Sequence, residues 1–94
     1  MRIRWTKQAL KNLEDIFLFL SKEYPGNYQE IIAVLAGKIN GLAHSPQAGR
    51  PGRIFGTREL VIGKYPYIVP YRIKDDIIQI LRVFHTSRNP PRQW

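Results

Sequence analysis

Cysteine is missing from this 94-residue chain. Disulfides and thiolate metal sites are therefore excluded, and a reducing, cytoplasmic setting is compatible. Acidic residues are scarce, with seven Asp and Glu against fifteen Lys and Arg. Histidine occurs twice, as His44 and His85, far apart in sequence and without a carboxylate at ligand spacing. No zinc or two-metal centre is expected from such a pair. No apolar run approaches the ~20 residues that span a bilayer. The start, MRIRWTKQ, lacks the apolar stretch of a secretory signal. These absences predict a single domain over residues 1–94, with no metal, no cofactor and no membrane segment.

What is present is apolar residues, 44% of the chain with 12% aromatics, enough for a folded core. There is also a net charge of +8. The charge is uneven. Residues 1–49 carry six Lys and Arg against four acids, and residues 50–94 carry nine against three. A basic half suits nucleic acid or an acidic protein partner, although a basic surface can serve solubility alone.

Arg2–Trp5 alternates polar and apolar residues and reads as a strand. Thr6 is placed to cap a helix from Lys7. Leu10, Leu13, Phe17, Leu20 and Tyr24 recur at steps of three and four, with Ile16 and Phe19 beside them, and predict one core-facing stripe. Pro25-Gly26 stops that helix. Asn27 and Glu30 resemble a capping box for a second helix with the stripe Tyr28, Ile31, Leu35, Ile39 and Leu42. Gly37 and Gly41 weaken this helix in isolation, and a close approach to the first helix would explain them. His44–Arg53, rich in Pro and Gly, reads as one long exposed loop.

Three strands follow, at Arg58–Ile62, Tyr67–Ile73 and Ile77–Phe84, the last two joined by a tight turn at Asp75-Asp76. Pro70 inside the second strand predicts a bulge or an unpaired edge position. The expected register sets Ile73 against Ile78, Tyr71 against Ile80, Val69 against Arg82 and Tyr67 against Phe84. Arg72 then faces Gln79 on the opposite side. The fold class is α+β: an antiparallel two-helix hairpin on a small, mostly antiparallel sheet, in the order βααβββ.

GRPGRIFG lacks the Lys-Ser/Thr tail of a phosphate-binding loop. His85 with Arg82 and Arg88 has the parts of a metal-free ribonuclease, in which a neutral imidazole moves a proton and arginines hold the phosphate. The same histidine can equally be a surface residue hydrogen-bonded to a loop. Arg50, Arg53, Arg58, Arg72, Arg82 and Arg88 could bind phosphates or acidic side chains. Tyr65, Tyr67 and Tyr71 are candidates for base stacking or for cross-strand packing.

The run GRPGRIFGTRELVIGKYPYIVPYRIKDDIIQILRVFHTSRNPP resembles the RelE/ParE superfamily of bacterial toxins. The likeness lies in the Gly-Arg loop, the Arg-Glu-Leu-Val strand, the Tyr-Ile-Val-x-Tyr-Arg strand, the acidic turn and Ile-Leu-Arg-Val-x-His-x-x-Arg. The aromatic first strand followed by A-L-x-x-L-x-x-I also fits. The resemblance implies a type II toxin that forms a hetero-oligomer with a small antitoxin. RelE-like members cut mRNA on the ribosome, whereas ParE-like members inhibit DNA gyrase. RelE-like nucleases usually place a basic residue after the first tyrosine of the Tyr-x-x-x-Tyr strand, and here that residue is Ile68. Their loop lysines and carboxylate base also have no clear match, and His-x-x-Arg is common in ParE-like chains.

The expectation is thus a ParE-like gyrase inhibitor, with target-binding residues Arg58, Arg72, Arg82, His85 and Arg88 and no catalytic group. The alternative is a RelE-like ribonuclease acting on mRNA at the ribosome through His85, Arg82 and Arg88. A nucleic-acid-binding module of another kind is a third reading of the basic surface.

Overall fold

A computed structural model describes residues 1–87 and Trp94. Strand β1 is Arg2–Trp5, and helices α1 and α2 are Lys7–Glu23 and Tyr28–Gly41. Strands β2 to β6 are Arg50–Pro51, Arg58–Val61, Tyr67–Lys74, Ile77–Ile80 and Phe84–His85. The main elements keep the expected βααβββ order, with the two-residue strand β2 added and the expected last strand divided into β5 and β6. The sheet order is β1-β5-β4-β3-β2, and β6 pairs with β4. The pairings are antiparallel except β1 with β5, which is parallel.

Thr6 joins the first strand to the first helix. Its hydroxyl oxygen accepts from the Ala9 amide at 3.1 Å and its O–H donates to the Ile80 carbonyl at 2.9 Å. The cap thereby satisfies an orphan helix donor and ties α1 to the end of β5. α2 starts after Asn27, but the Asn27 side chain makes no capping bond.

The core lies between the helices and one sheet face. Leu35 and Ile39 of α2 meet Val69, Tyr71, Ile78 and Ile80, all essentially without solvent contact. The α2 stripe is therefore buried as its period predicts. The α1 stripe is not. Ala9 and Leu20 are buried, whereas Leu10 and Phe19 are 52% and 55% exposed and Phe17 and Tyr24 are also open. A sheet this small covers only one flank of α1, so the rest of its apolar surface remains uncovered. Gly37 and Gly41 do not serve close packing, since a Cβ at either would meet nothing within 4 Å.

The β4–β5 register is as expected for Ile73–Ile78, Arg72–Gln79 and Tyr71–Ile80. Asp75 and Asp76 sit at φ 54° and 60°, the backbone of a two-residue type I′ turn. Beyond Tyr71 the register shifts by one. Tyr67 pairs with His85 and Ile68 with Phe84, so the expected Val69–Arg82 and Tyr67–Phe84 pairs are replaced. The cause is Pro70. Its carbonyl accepts from both Leu81 and Arg82, which adds a residue to the partner strand. The bulge splits the expected third strand in two. The loop of residues 44–53 is also interrupted, because Arg50 and Pro51 pair with Glu59 and Arg58.

Candidate functional site

The bulge re-aims two of the expected site residues. Arg82 and His85 line one pocket of about 350 Å³ between α1 and the β4–β6 end of the sheet. Asn12, Asp15, Ile16 and Phe19 of α1 form its other wall. Asn12 braces the bulge: its side-chain oxygen accepts from Arg82 Nε at 3.0 Å and from the Val83 amide at 3.1 Å. The sequence reading gave Asn12 no role. Its signal was a poor helix former among the apolar residues of α1, which often marks a side chain bonding elsewhere.

His85 stands edge-on to Tyr67, with ring centroids 5.4 Å apart. Its Nδ1 accepts from the Ser87 amide at 3.1 Å and lies 2.6 Å from the Ser87 hydroxyl. A backbone N–H can only donate, so Nδ1 is the accepting ring nitrogen here. In this arrangement that nitrogen is already engaged.

The other expected residues lie elsewhere. Arg58 donates to the Gly49 carbonyl at 2.7 Å and to the Gln47 carbonyl, and so clamps the loop before β2. Arg72 is on the sheet face away from the helices, bonded to Gln79. Arg88 lies outside the described residues. Tyr67 and Tyr71 are buried on the helix-facing side and present no face for base stacking.

Ile68 is 2% exposed on the outer face, paired with Val61 on one side and Phe84 on the other. The row is apolar throughout. Arg53 passes over it, its guanidinium 5.7 Å from the Phe84 ring centre and 5.8 Å from that of Trp94. Arg53 is not free to hold a substrate phosphate, because Glu59 holds it. The Glu59 carboxylate is 2% exposed and accepts from Arg53 Nε and the Arg53 amide, each at 2.9 Å, and from Arg50 at 3.3 Å. Burial pushes the Glu59 carboxyl up, but the two arginines outweigh it and hold it below the usual carboxylate range. This cluster also escaped the sequence reading. Its signal was a lone acid at position 59 among Arg50, Arg53 and Arg58.

Among the described residues, no three His, Cys, Asp or Glu side chains come together as a metal site. Nor is any helix among them long and apolar enough to cross a membrane.

Residues 3–90 match the family described as the ParE toxin of the type II toxin–antitoxin system, parDE. The chain belongs to that family. This ParE-family chain is 43% identical over 91 residues to the Sinorhizobium fredii protein Y4kP, covering 97% of this chain and 94% of that protein. It is 30% identical over 87 residues to Toxin RelE2 of Caulobacter vibrioides, covering 93% and 97%. Among solved structures it resembles the chromosomal ParDE toxin–antitoxin system of P. aeruginosa, with a TM-score of 0.81, 27% identity and 90% and 95% of the two chains covered. It also resembles the RelBE2 toxin–antitoxin complex of Mycobacterium tuberculosis, with a TM-score of 0.63, 29% identity and 89% and 95% covered. The chain thus has the fold and sequence of a type II toxin of the RelE/ParE superfamily.

Proposed function

We propose that this ParE-family toxin acts by binding DNA gyrase in the cytoplasm and not by cutting RNA. The observation that carries this reading is Ile68. The position where a nuclease of the superfamily would set a cation is a buried isoleucine in a row with Val61 and Phe84. An apolar row offers a phosphate no donor. The state of His85 supports the same reading, because its acceptor nitrogen is engaged by the Ser87 amide. A general base needs that nitrogen open to the hydroxyl it deprotonates. The pocket with Arg82 and His85 then belongs to target docking, with Arg88 following it in sequence, whereas Arg58 serves the loop and Arg72 lies on the other face of the sheet.

A small antitoxin is the second partner. The exposed apolar residues of α1 border a shallow groove of about 290 Å³ formed by Leu10, Leu13, Glu14, Phe17 and Ile32. An acidic amphipathic segment that folds on binding would cover this groove and offset the +8 charge.

The test is a paired assay with purified toxin: supercoiling of plasmid by gyrase, and integrity of mRNA on translating ribosomes. Inhibited supercoiling with intact mRNA is the expected outcome. Cleaved mRNA with unaffected gyrase would replace this reading with the ribonuclease.

A further inference from the structure

The outer face of the sheet has a second region, at the end opposite Ile68. In the strand register Arg2 lies beside Ile77 and Arg4 beside Gln79, while Lys74 lies beside Ile77 and Arg72 beside Gln79. Paired residues share a face, so Arg2 and Arg4 on β1 and Arg72 and Lys74 on β4 project from the same side of the sheet. All four are exposed. Among the described residues none of the four is in a salt bridge. Arg72 is oriented by a neutral amide, the side chain of Gln79. The acids nearest in sequence, Asp75 and Asp76, are in the turn beyond Lys74 and not on the strands.

Two of these cations have an ordinary explanation. β1 is an edge strand, and charge on an edge discourages pairing with other chains. That accounts for Arg2 and Arg4 but not for Arg72 and Lys74, because β4 is interior to the sheet with β5 and β3 on either side. Like charges gathered on one sheet face repel and oppose folding. A sequence shaped for stability alone would put acids among them.

We infer that this face is a binding surface for the phosphate backbone of duplex DNA. Alternate residues on a strand are ~6.8 Å apart, and β1 and β4, with β5 between them, are ~10 Å apart. The cations thus form a fixed grid of ~7 by ~10 Å, on the scale of neighbouring phosphates on a regular helix. The residues between them, Ile77 and Gln79, include no aromatic. Single-stranded nucleic acid is held on stacking platforms, and this end of the face has none, the Phe84 and Trp94 rings lying at the other end. Backbone charge without base readers predicts sequence-independent binding that weakens with salt.

The experiment is fluorescence anisotropy of the full chain with a 20-base-pair duplex from 50 to 200 mM NaCl. A 20-nucleotide single-stranded RNA is measured alongside. Four phosphate contacts predict a slope of log K against log salt of about −3 to −4. The Arg4→Gln/Arg72→Gln double variant should bind at least about tenfold more weakly at low salt, with the slope reduced by about 2. The Lys22→Gln/Lys38→Gln variant removes the same charge from the helices and should bind as the parent does. Equal weakening by both variants would mean that net charge alone drives binding and would overturn the proposal. RNA bound as tightly as the duplex would also overturn it. The inference stands apart from the gyrase reading. Duplex binding without gyrase inhibition removes gyrase and leaves this face, and gyrase inhibition by a toxin whose duplex binding is unchanged in Arg4→Gln/Arg72→Gln does the reverse.

Discussion

Glu59 and Arg53 are joined three times: one carboxylate oxygen accepts from the Arg53 backbone amide and from its Nε, both at 2.9 Å, and the other accepts from Arg53 Nη2 at 3.1 Å. The pair fixes the turn between β2 and β3 and holds Arg53 over Phe84. Replacing Glu59 with Gln removes the charge that makes these bonds strong. We expect a loss of about 2–4 kcal/mol, read as a lower urea midpoint. The folded-state pKa of Glu59 is depressed, so its contribution is fully present above the unfolded value, about pH 4.3, and is lost as pH falls through the lower folded value. Wild-type protein should lose stability below that pH more steeply than Glu59→Gln does.

Tyr71 secures the loop before β2. Its hydroxyl accepts from the Gly49 amide at 2.8 Å and donates to the Pro46 carbonyl at 2.7 Å. Tyr71→Phe leaves both backbone groups unpaired and should cost about 1–3 kcal/mol. Gly49→Ala should be destabilising too, since its Cβ would fall 2.6 Å from the Tyr71 ring. The two losses should not add, because both act on one contact. A double-mutant cycle by thermal melting checks this.

The uncovered side of α1 gives a different signature. Leu10→Ser and Phe17→Ser remove exposed apolar surface from that groove, so the free toxin should melt within about 1 kcal/mol of the parent. Their affinity for the antitoxin should fall by tenfold or more if those side chains are anchors. Calorimetric titration of toxin with antitoxin decides it, and an unchanged affinity would place the antitoxin elsewhere.

Asp76 has a backbone conformation that glycine accepts without strain. Asp76→Gly should stabilise the β4–β5 turn by about 0.5–1 kcal/mol, raising the melting temperature by a few degrees. A lower melting temperature would mean that the aspartate side chain contributes a bond of its own.

Residues with local physics were legible in the sequence. Thr6 capped where its hydroxyl predicted, the α2 stripe was buried, and the acidic turn fixed the first three cross-strand pairs. Pro70 announced a bulge, but one residue cannot say how many partner residues the bulge absorbs. The register beyond it, and hence the sides on which Phe84 and His85 lie, came only from the structure. The α1 stripe was misread because periodicity marks an apolar face and does not tell which molecule covers it. The expected site proved to be several places. Arg82 and His85 share a pocket, Arg58 holds a loop and Arg72 joins the outer cationic face, since residues near in sequence point to opposite sides of a sheet.

The most direct test of the account is gyrase supercoiling by the parent toxin and by His85→Ala, with mRNA on translating ribosomes followed in parallel. We predict that both proteins leave the mRNA intact and that the parent blocks supercoiling. The variant should inhibit too, weakened by no more than the loss of one docking contact. Cleavage of the mRNA by the parent that disappears in His85→Ala would contradict the account and make His85 a catalytic residue.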